Sequence, residues 1–422
     1  MLAKIVESGF LLSYDISDAD VVVINTCGFI APAKSEAFEI IQETVEYKKQ
    51  NRVQKIVVAG CLSERMEEQL LEEIPEIDAV VGLGQRDNMA EIIAALLTGE
   101  DNKLYLSPDD WGKTVQDDSD RLLINPSHWA YLRISEGCDR RCAFCTIPMI
   151  KGRFRSKAMA QTIAEAKQMA KAGAVELSII AQDSNYYGRD IKMEDGLATL
   201  LGELEKIESL KWIRLMYLYP AGVDERLIET IANSKKIVNY IDMPIQHINN
   251  EILKNMGRVD TREKTVGLIE KLRTAMPDIV LRTTVITGFP GETDEQFNEL
   301  LDFVKWARFE ALGCFAFWPE DSTKAAEMPG QIPHEIKEQR REQIMLAQQK
   351  IAFETNNARI GSKIQCLVDE NLEKGQSLGR FYGQAPHIDS ICLIENCNAR
   401  PGQFVDCQVT GVEDYDLLCK KI

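Results

Sequence analysis

A repeated alternation of short apolar runs with amphipathic segments is the feature that most constrains the fold. Over residues 1–100 the apolar runs are valine-rich and continuous, and they are VVVIN (21–25), KIVVAG (55–60) and AVVGLG (79–84). Runs of this kind are typical of parallel strands that are covered on both faces. Helical patterns lie between them, near 33–48, 64–73 and 86–98. The alternation therefore predicts a doubly wound α/β domain over residues 1–100.

From residue 129 the alternation resumes on a larger scale, with a helical pattern after each candidate strand. The six candidate strands are 130–135, 175–181, 211–218, 239–245, 279–288 and 311–317. Six βα units with right-handed crossovers curl into an open, partial barrel, because closure would need eight. We assign residues 129–355 to this barrel. The polar, acidic stretch 101–128 before it has little periodicity and is predicted to be a linker.

Residues 356–422 change character, with short alternating runs separated by Gly, Asn and Pro. They predict a small antiparallel β domain, a compact barrel. No apolar run approaches the ~18 residues that a membrane span requires. The first residues, MLAKIVESGF, lack the features of a signal peptide, so we expect a cytoplasmic protein without membrane association. In that compartment the 11 cysteines favour thiols and metal ligands over disulfides.

The charge balance bears on the partner. The chain has 422 residues, with 66 acidic against 49 basic side chains and a net charge of −17. An acidic surface repels phosphate backbones and attracts basic partners. A basic protein substrate therefore fits better than a nucleic acid, and no DNA partner is expected, although a local basic groove could override the net balance. Acidity that serves solubility alone is the alternative.

The strongest chemical signal is the segment EGCDRRCAFCTIP (136–148). It places Cys138, Cys142 and Cys145 in a C-x₃-C-x₂-C loop directly after the first barrel strand. Thiolates suit iron–sulfur clusters, and three of them leave one corner of a cubane open. A structural zinc site would need a fourth ligand, and no further Cys or His lies nearby. The loop falls at the carboxyl end of a strand, where barrels of this type bind ligands.

Two further cysteines end strands of the N-terminal domain. Cys27 follows VVVINT and Cys61 follows KIVVAG. Ligands of open α/β sheets bind outside the carboxyl ends of the strands, so a second metal site there is one hypothesis. Buried structural thiols are the alternative. The other cysteines lack metal-type spacing and are predicted to be core thiols, namely Cys314, Cys366, Cys392, Cys397, Cys407 and Cys419.

The cysteine loop resembles the signature of the radical S-adenosylmethionine superfamily, C-x₃-C-x-(aromatic)-C. The resemblance implies a 4Fe-4S cluster on Cys138, Cys142 and Cys145. It also implies that Phe144 lies against the adenine of S-adenosylmethionine, whose cleavage yields a 5′-deoxyadenosyl radical. The radical chemistry implies an electron donor such as flavodoxin or ferredoxin.

Three motifs in order, INTCGFI, AGCLSER and EGCDRRCAFCTIP, resemble the methylthiotransferases over essentially the whole chain. INTCGFI, IIAQDSNYYGRD, YIDMPIQHIN and GRFYGQAPHID are similar to the RimO branch of that family. The resemblance implies an N-terminal α/β domain, a radical S-adenosylmethionine partial barrel and a C-terminal TRAM β-barrel. It further implies methylthiolation of the β-carbon of an aspartate in the twelfth small-subunit ribosomal protein.

The family also has an auxiliary 4Fe-4S cluster on three N-terminal cysteines, and Cys27 and Cys61 match two of them. The first normally follows an opening strand in a segment like GC-x-KN. This chain begins at MLAKIVESGF, which resembles the helix after that segment. We therefore expect the third ligand to be missing from this chain, through a truncated start or an incomplete cluster.

Other residues are candidates for cofactor binding. By resemblance Gln182 and Asp183 contact the amino group of the cofactor; a turn that caps the next helix is the alternative. Gly288 and Gly291, in TGFPGET, lie along the nucleoside or form a bare glycine turn. Arg214 is a charge among apolar strand neighbours, so it meets the cofactor carboxylate or pairs with a carboxylate inside the barrel.

Two rival functions remain. The sister branch of the family modifies adenosine in tRNA and predicts a basic C-terminal barrel. Residues 359–422 contain seven Lys or Arg and nine Asp or Glu, a net charge of −2, which favours the ribosomal protein. A rival of another class is an inactive ribosome-binding or cluster-carrying homologue that lacks a complete auxiliary cluster.

Overall fold

The computed structural model describes residues 1–108, 112, 115–124 and 126–422. Its N-terminal part is a four-stranded parallel sheet in the order β1-β2-β3-β4. The strands are β1 (Val21–Thr26), β2 (Lys55–Gly60), β3 (Ala79–Val81) and β4 (Leu104–Tyr105). The helices are α1 (Leu2–Glu7), α2 (Ala31–Lys49), α3 (Cys61–Met66), α4 (Glu68–Glu73) and α5 (Met89–Leu97).

Both faces of this sheet are buried, which explains its continuous apolar runs. Ile56 and Val58 of β2 belong to one core cluster, which also contains residues of α2 and α4. Val57 and Ala59, which alternate with them, belong to a second cluster with residues of α5. Successive side chains of a strand point to opposite faces, so a sheet covered twice needs apolar residues at every position. The predicted doubly wound α/β domain is confirmed.

The structure corrects the linker predicted for 101–128. Leu104 and Tyr105 pair in parallel with Val80 and Val81 and so extend the N-terminal sheet by one strand. A two-residue strand is too short for a periodic pattern to reveal it. Residues 109–111, 113, 114 and 125 of the predicted linker lie outside the described residues.

The central part is a six-stranded parallel sheet in the order β12-β11-β10-β9-β8-β5. Its strands are β5 (Trp129–Arg133), β8 (Glu176–Ile180), β9 (Trp212–Leu215), β10 (Ile237–Asp242), β11 (Val280–Thr287) and β12 (Ala311–Ala316). A small antiparallel hairpin joins β6 (Ser135–Glu136) and β7 (Arg155–Ser156). In the described part of the chain, β5 and β12 are the two open edges. The predicted six-unit partial barrel is confirmed.

Six helices form the largest core cluster together with this sheet, and they are α7 (Met159–Lys171), α8 (Gly196–Glu205), α9 (Glu225–Asn233), α11 (Arg262–Ala275), α12 (Asp294–Ala307) and α13 (His334–Ala358). Two shorter helices, α6 (Ile147–Lys151) and α10 (Asn250–Asn255), lie outside that cluster. None of the helices in the described residues combines the length and the hydropathy that a membrane span requires.

The C-terminal part is a closed barrel in the order β13-β14-β15-β17-β16. Its strands are β13 (Lys363–Asn371), β14 (Ser377–Phe381), β15 (Cys392–Glu395), β16 (Phe404–Glu413) and β17 (Asp416–Lys421). The pairing is antiparallel, as predicted, except that β15 and β17 run parallel.

The barrel packs against the concave face of the central sheet. Trp212, Met216, Tyr240 and Val280 of that face share a core cluster with barrel residues. The C-terminal barrel thereby closes part of the concave side of the central sheet. The rest of the concave side stays open at the carboxyl ends of the strands, and we call this opening the mouth of the central barrel.

Candidate active site

The cysteine loop starts from a glycine turn at the mouth of the central barrel. Gly137 follows β6 with a φ of +76°, a backbone conformation that residues with a side chain rarely adopt. A Cβ at this position would lie only 2.2 Å from the carbonyl oxygen of Arg153. The hairpin therefore requires glycine here, and the turn directs Cys138 into the mouth.

Backbone hydrogen bonds then hold the loop against its surroundings. The Cys138 N–H donates to the carbonyl oxygen of Gly152 at 3.2 Å. The Ala143 N–H donates to the carbonyl of Met256 at 2.8 Å, and its own carbonyl accepts from the Ala325 N–H at 2.9 Å. The loop is thus tied to segments far away in the sequence, which fixes its cysteines before any ligand binds.

The three thiols suit a multi-iron cluster better than a single ion. Among the described residues, Cys138, Cys142 and Cys145 do not form a group whose sulfurs all lie within 4.8 Å of one another. One zinc ion would draw its ligands together, whereas a cubane holds them at separate corners. The Arg140 N–H donates to Cys138 Sγ at 3.4 Å, the type of contact that tunes cluster sulfurs. A zinc ion on these three thiols would require their sulfurs to move closer together.

Burial keeps these thiols protonated in the absence of a ligand. It raises the pKa of Cys138 to about 11 and that of Cys145 to about 12. A metal ligand must be a thiolate, so cluster assembly must displace these protons.

A cavity of about 530 Å³ opens beside the loop, a size typical of sites for small molecules. The three cysteines line it, together with the predicted cofactor-binding residues Phe144 and Gln182. The sequence did not single out its other polar or aromatic lining residues, Phe29, Arg133, Arg140, Tyr217, Tyr219, Gln246, Arg258 and Thr284. Two signals could have identified some of them: Arg140 lies inside the cysteine motif, and Gln246 is a polar residue shortly after a strand.

Two glutamines in the cavity wall have buried oxygens without a hydrogen-bond partner in the described structure. They are Gln182 Oε1 and Gln246 Oε1. Such atoms are rare in folded proteins, and they mark a place where a polar ligand fits. Gln246 has a φ of +69° and Tyr217 one of +59°, so two wall residues hold strained backbone. The two oxygens are acceptors, so they suit a ligand that carries amino or hydroxyl donors.

Asp183 lies just outside the cavity lining and pairs with Arg140, which is part of that lining. Arg140 Nε lies 2.6 Å from Asp183 Oδ2, while Asp183 Oδ1 has no partner in the described structure. Burial raises the pKa of Asp183 and the Arg140 guanidinium opposes that rise. Arg140 in turn stacks on the Tyr219 ring, with 3.8 Å between guanidinium carbon and ring centroid. The pair leaves one carboxylate oxygen free to accept a hydrogen bond.

Cys27 and Cys61 lie side by side at the carboxyl edge of the N-terminal sheet. Thr26 and Gly60, which precede them, are register partners on β1 and β2. Cys27 is exposed and Cys61 is partly buried, and burial raises the pKa of Cys61. Among the described residues, no closely spaced group of three metal-ligating side chains includes either cysteine.

The segment that follows Cys27 borders the same cavity. Phe29, two residues after Cys27, lines the cavity, and its carbonyl oxygen accepts from Thr146 Oγ1 at 3.2 Å. Thr146 directly follows Cys145, and α3, which starts at Cys61, packs against α6. The cysteine loop of the central barrel and the segment after Cys27 therefore meet at one cavity.

Three of the predicted cofactor contacts lie elsewhere. Arg214 is fully buried and pairs with Glu176 Oε1 at 2.9 Å, and it also donates to the carbonyl of Tyr382 at 2.7 Å. The structure thus has the carboxylate pair rather than the cofactor contact, because the C-terminal barrel covers this part of the concave face.

Neither Gly288 nor Gly291 is among the residues that line the cavity. A Cβ on Gly288 would lie 2.3 Å from Lys337 Cγ, so the absence of a side chain at this position leaves room for α13 to pack here. The Gly291 N–H donates to the Gly330 carbonyl at 2.9 Å. Both glycines serve packing and turn formation here, and a contact with the nucleoside stays a prediction for them.

Sequence comparisons cover all three parts of the chain. The profile of the Radical SAM superfamily matches residues 132–304 and that of the TRAM domain matches residues 360–422. Residues 1–82 match a profile described as the uncharacterized protein family UPF0004.

Curated relatives match over nearly their full length. A protein of Clostridioides difficile (strain 630) named ribosomal protein uS12 methylthiotransferase RimO is 42% identical over 419 residues, 99% of this chain and 94% of the relative. A protein of the same name from Syntrophomonas wolfei is 41% identical, over 99% of this chain and 95% of the relative.

Among solved structures, the radical S-adenosylmethionine methyltransferase TsrM from Kitasatospora setae is similar in fold. The TM-score is 0.53 with 19% identity, over 70% of this chain and 62% of that one.

Proposed function

The chain belongs to the RimO family of ribosomal protein uS12 methylthiotransferases, and from that premise we propose that it attaches a methylthio group to uS12 by radical S-adenosylmethionine chemistry. The observation that carries the proposal is the single cavity approached by Cys138, Cys142 and Cys145 from one domain and by the Cys27 segment from another. A methylthio transfer needs a radical source and a sulfur source at one substrate carbon. The cysteine loop would supply three ligands for the first, and Cys27 and Cys61 would supply two for the second.

Cys138, Cys142 and Cys145 would hold a 4Fe-4S cluster, and the open iron corner would take S-adenosylmethionine. When bound, these groups supply a 5′-deoxyadenosyl radical that removes hydrogen from the substrate. Phe144 would lie against the adenine, and the free oxygens of Gln182, Gln246 and Asp183 would accept from the cofactor's amino and hydroxyl groups. The buried walls would exclude water from the reacting carbon.

Cys27 and Cys61 would provide two ligands of an auxiliary 4Fe-4S cluster that holds the sulfur to be transferred. Support comes from their adjacency and from Phe29, two residues after Cys27, which lines the cavity. The partly buried Cys61 also lies near the Lys151 ammonium, which favours its thiolate against the cost of burial.

The substrate would be a basic ribosomal protein, and the family resemblance makes the acceptor the β-carbon of an aspartate. The net charge of −17 and the acidic C-terminal barrel favour such a partner over tRNA. The reaction would take place in the cytoplasm with an electron donor such as flavodoxin or ferredoxin.

The test is an anaerobic assay of the full chain, reconstituted with ferrous iron and sulfide, with S-adenosylmethionine, a reductant and purified uS12. We expect uS12 to gain a methylthio group in place of one hydrogen on an aspartate, and the Cys138→Ala variant to yield none. A reconstituted chain that releases 5′-deoxyadenosine but leaves uS12 unchanged and modifies tRNA would contradict the substrate. A chain that binds uS12 without cleaving the cofactor would support the inactive homologue.

A further inference from the structure

The interior of the C-terminal barrel contains a cluster of thiols that the proposed reaction does not use. Cys366, Cys392 and Cys419 have sulfurs that all lie within 4.8 Å of one another. A fourth thiol, Cys407, lies on the neighbouring strand, where its register partner Ile364 is two residues before Cys366. All four side chains are fully buried.

These cysteines come from four of the five barrel strands. Cys366 lies on β13, Cys392 on β15, Cys407 on β16 and Cys419 on β17. β14 places Gly379 opposite Cys392 in the register, so no side chain of β14 fills that place. Ring closure of the sheet brings the sulfurs of Cys366, Cys392 and Cys419 together in the interior.

We propose that Cys366, Cys392, Cys407 and Cys419 form a structural site for one zinc ion inside the C-terminal barrel. Soft thiolates select zinc, and structural zinc sites are closed, tetrahedral and rich in cysteine. Zn–S bonds of ~2.3 Å put tetrahedral sulfurs a little under about 4 Å apart. The sulfurs of Cys366, Cys392 and Cys419 need to move by roughly one ångström or less to reach that spacing. Cys407, which lies outside this group of three, would be the fourth ligand.

The small size of this domain gives the metal a physical role. The TRAM match spans only residues 360–422. Domains below ~70–80 residues rarely gain more than a few kcal/mol from one hydrophobic core, and many add a metal or disulfides. Four cysteines at the centre bury less apolar surface than valine or leucine would. As plain core residues they would weaken the barrel, whereas as zinc ligands they would cross-link four strands.

Zinc binding at this site involves no oxidation or reduction. Each thiol gives its proton to solvent as the ion binds, and the completed site carries net negative charge. Lys421 lies across from Cys407 in the register of β16 and β17, and its ammonium supplies nearby positive charge. Because the sulfurs are fully buried, the ion must enter while the barrel folds.

The test measures zinc in the full chain with Cys138, Cys142 and Cys145 replaced by alanine, so that the cluster loop cannot take up zinc. We expect about one zinc ion per chain that survives dialysis against EDTA, with four sulfur neighbours at ~2.3 Å in Zn K-edge absorption spectra. Cys392→Ala and Cys419→Ala should each lose the zinc. Cys397→Ala is the matched control, because Cys397 is buried in the same barrel outside the group, and it should keep the zinc.

The Zn K-edge spectrum is recorded on the chain that keeps all the barrel cysteines, so it does not depend on whether Cys392→Ala and Cys419→Ala fold.

Three results would overturn the proposal. The first is a chain without zinc even after refolding with zinc sulfate. The second is zinc that Cys392→Ala and Cys419→Ala both retain. The third is iron, copper or a disulfide found on these cysteines in anaerobically purified protein.

Discussion

Arg65 Nη1 lies 2.9 Å from Glu320 Oε2 and joins α3 of the N-terminal domain to the loop that follows β12. The same carboxylate pairs with Lys34 at 3.2 Å and accepts from the Ala31 N–H at 2.5 Å. Arg65 also donates to the carbonyl of Gly28, directly beside Cys27. Glu320 is therefore the buried anchor that holds the Cys27 segment against the central barrel.

Replacement of Glu320 should reduce methylthio transfer to uS12 without stopping the cleavage of S-adenosylmethionine. Glu320→Gln leaves Arg65 and Lys34 without their counter-charge, at a cost of about 3 kcal/mol for a buried pair. We expect release of 5′-deoxyadenosine to continue, because the cysteine loop is held elsewhere, while transfer to uS12 falls at least tenfold. Both products are measured in one assay. Glu354→Gln, which removes an exposed pair with Arg308, is the control. Equal loss of both products would contradict the assignment.

The turn before the cysteine loop should be intolerant of any side chain. Gly137→Ala puts a Cβ against the Arg153 carbonyl and forces the left-handed backbone on alanine, which alone costs ~1–2 kcal/mol. We expect the variant to bind less iron after reconstitution, as shown by its absorption near 400 nm, the region where iron–sulfur clusters absorb. Gly202→Ala in α8, where a Cβ meets nothing within 4 Å, should retain normal iron. Full iron in Gly137→Ala would show that the turn can relax.

Iron content should report the number of clusters. Replacing Cys138, Cys142 and Cys145 by alanine should remove about four irons and abolish cleavage of S-adenosylmethionine. Replacing Cys27 and Cys61 should leave those four irons and the cleavage intact while it abolishes methylthio transfer. Cys314→Ala, which removes a buried thiol on β12, should change neither. Chemical iron and sulfide assays on the three proteins measure this. Loss of all iron on replacement of Cys27 and Cys61 would place the ligands differently.

Acid should weaken the contact between the linker and the barrel. Burial would raise the pKa of Asp118, but Arg133 and Lys157 outweigh it and hold that pKa well below its ordinary value of 3.8. A depressed carboxyl pKa stabilises the fold above the unfolded pKa, and this contribution is lost as pH falls from there towards the folded pKa.

Asp118→Asn should therefore lower the unfolding temperature clearly at about pH 7, and its difference from the parent chain should shrink at about pH 3. Thermal unfolding followed by circular dichroism measures both. Asp120→Asn, in the same segment, is a control, because among the described residues the Asp120 carboxylate is bonded to the exposed side chain of Gln168 alone. A difference between Asp118→Asn and the parent that does not vary with pH would exclude the ion-pair explanation.

The local patterns of the sequence determined most of the architecture. Continuous apolar runs such as KIVVAG predict strands covered on both faces, since a residue's preference depends on neighbours a few positions away. The cysteine motif is local in the same sense, because three ligands within eight residues must lie on one loop. For this reason the α/β domain, the open six-stranded barrel and the C-terminal β-barrel could all be predicted.

Only the tertiary structure decided which distant residues meet. Cys366 and Cys419 are 53 positions apart along the sequence, and no spacing rule connects them, yet closure of the barrel places their sulfurs together. Arg214 pairs beneath the C-terminal barrel instead of facing the cavity, because domain packing covers it. Long-range contacts depend on how whole elements pack, and a short sequence pattern contains no information about that packing.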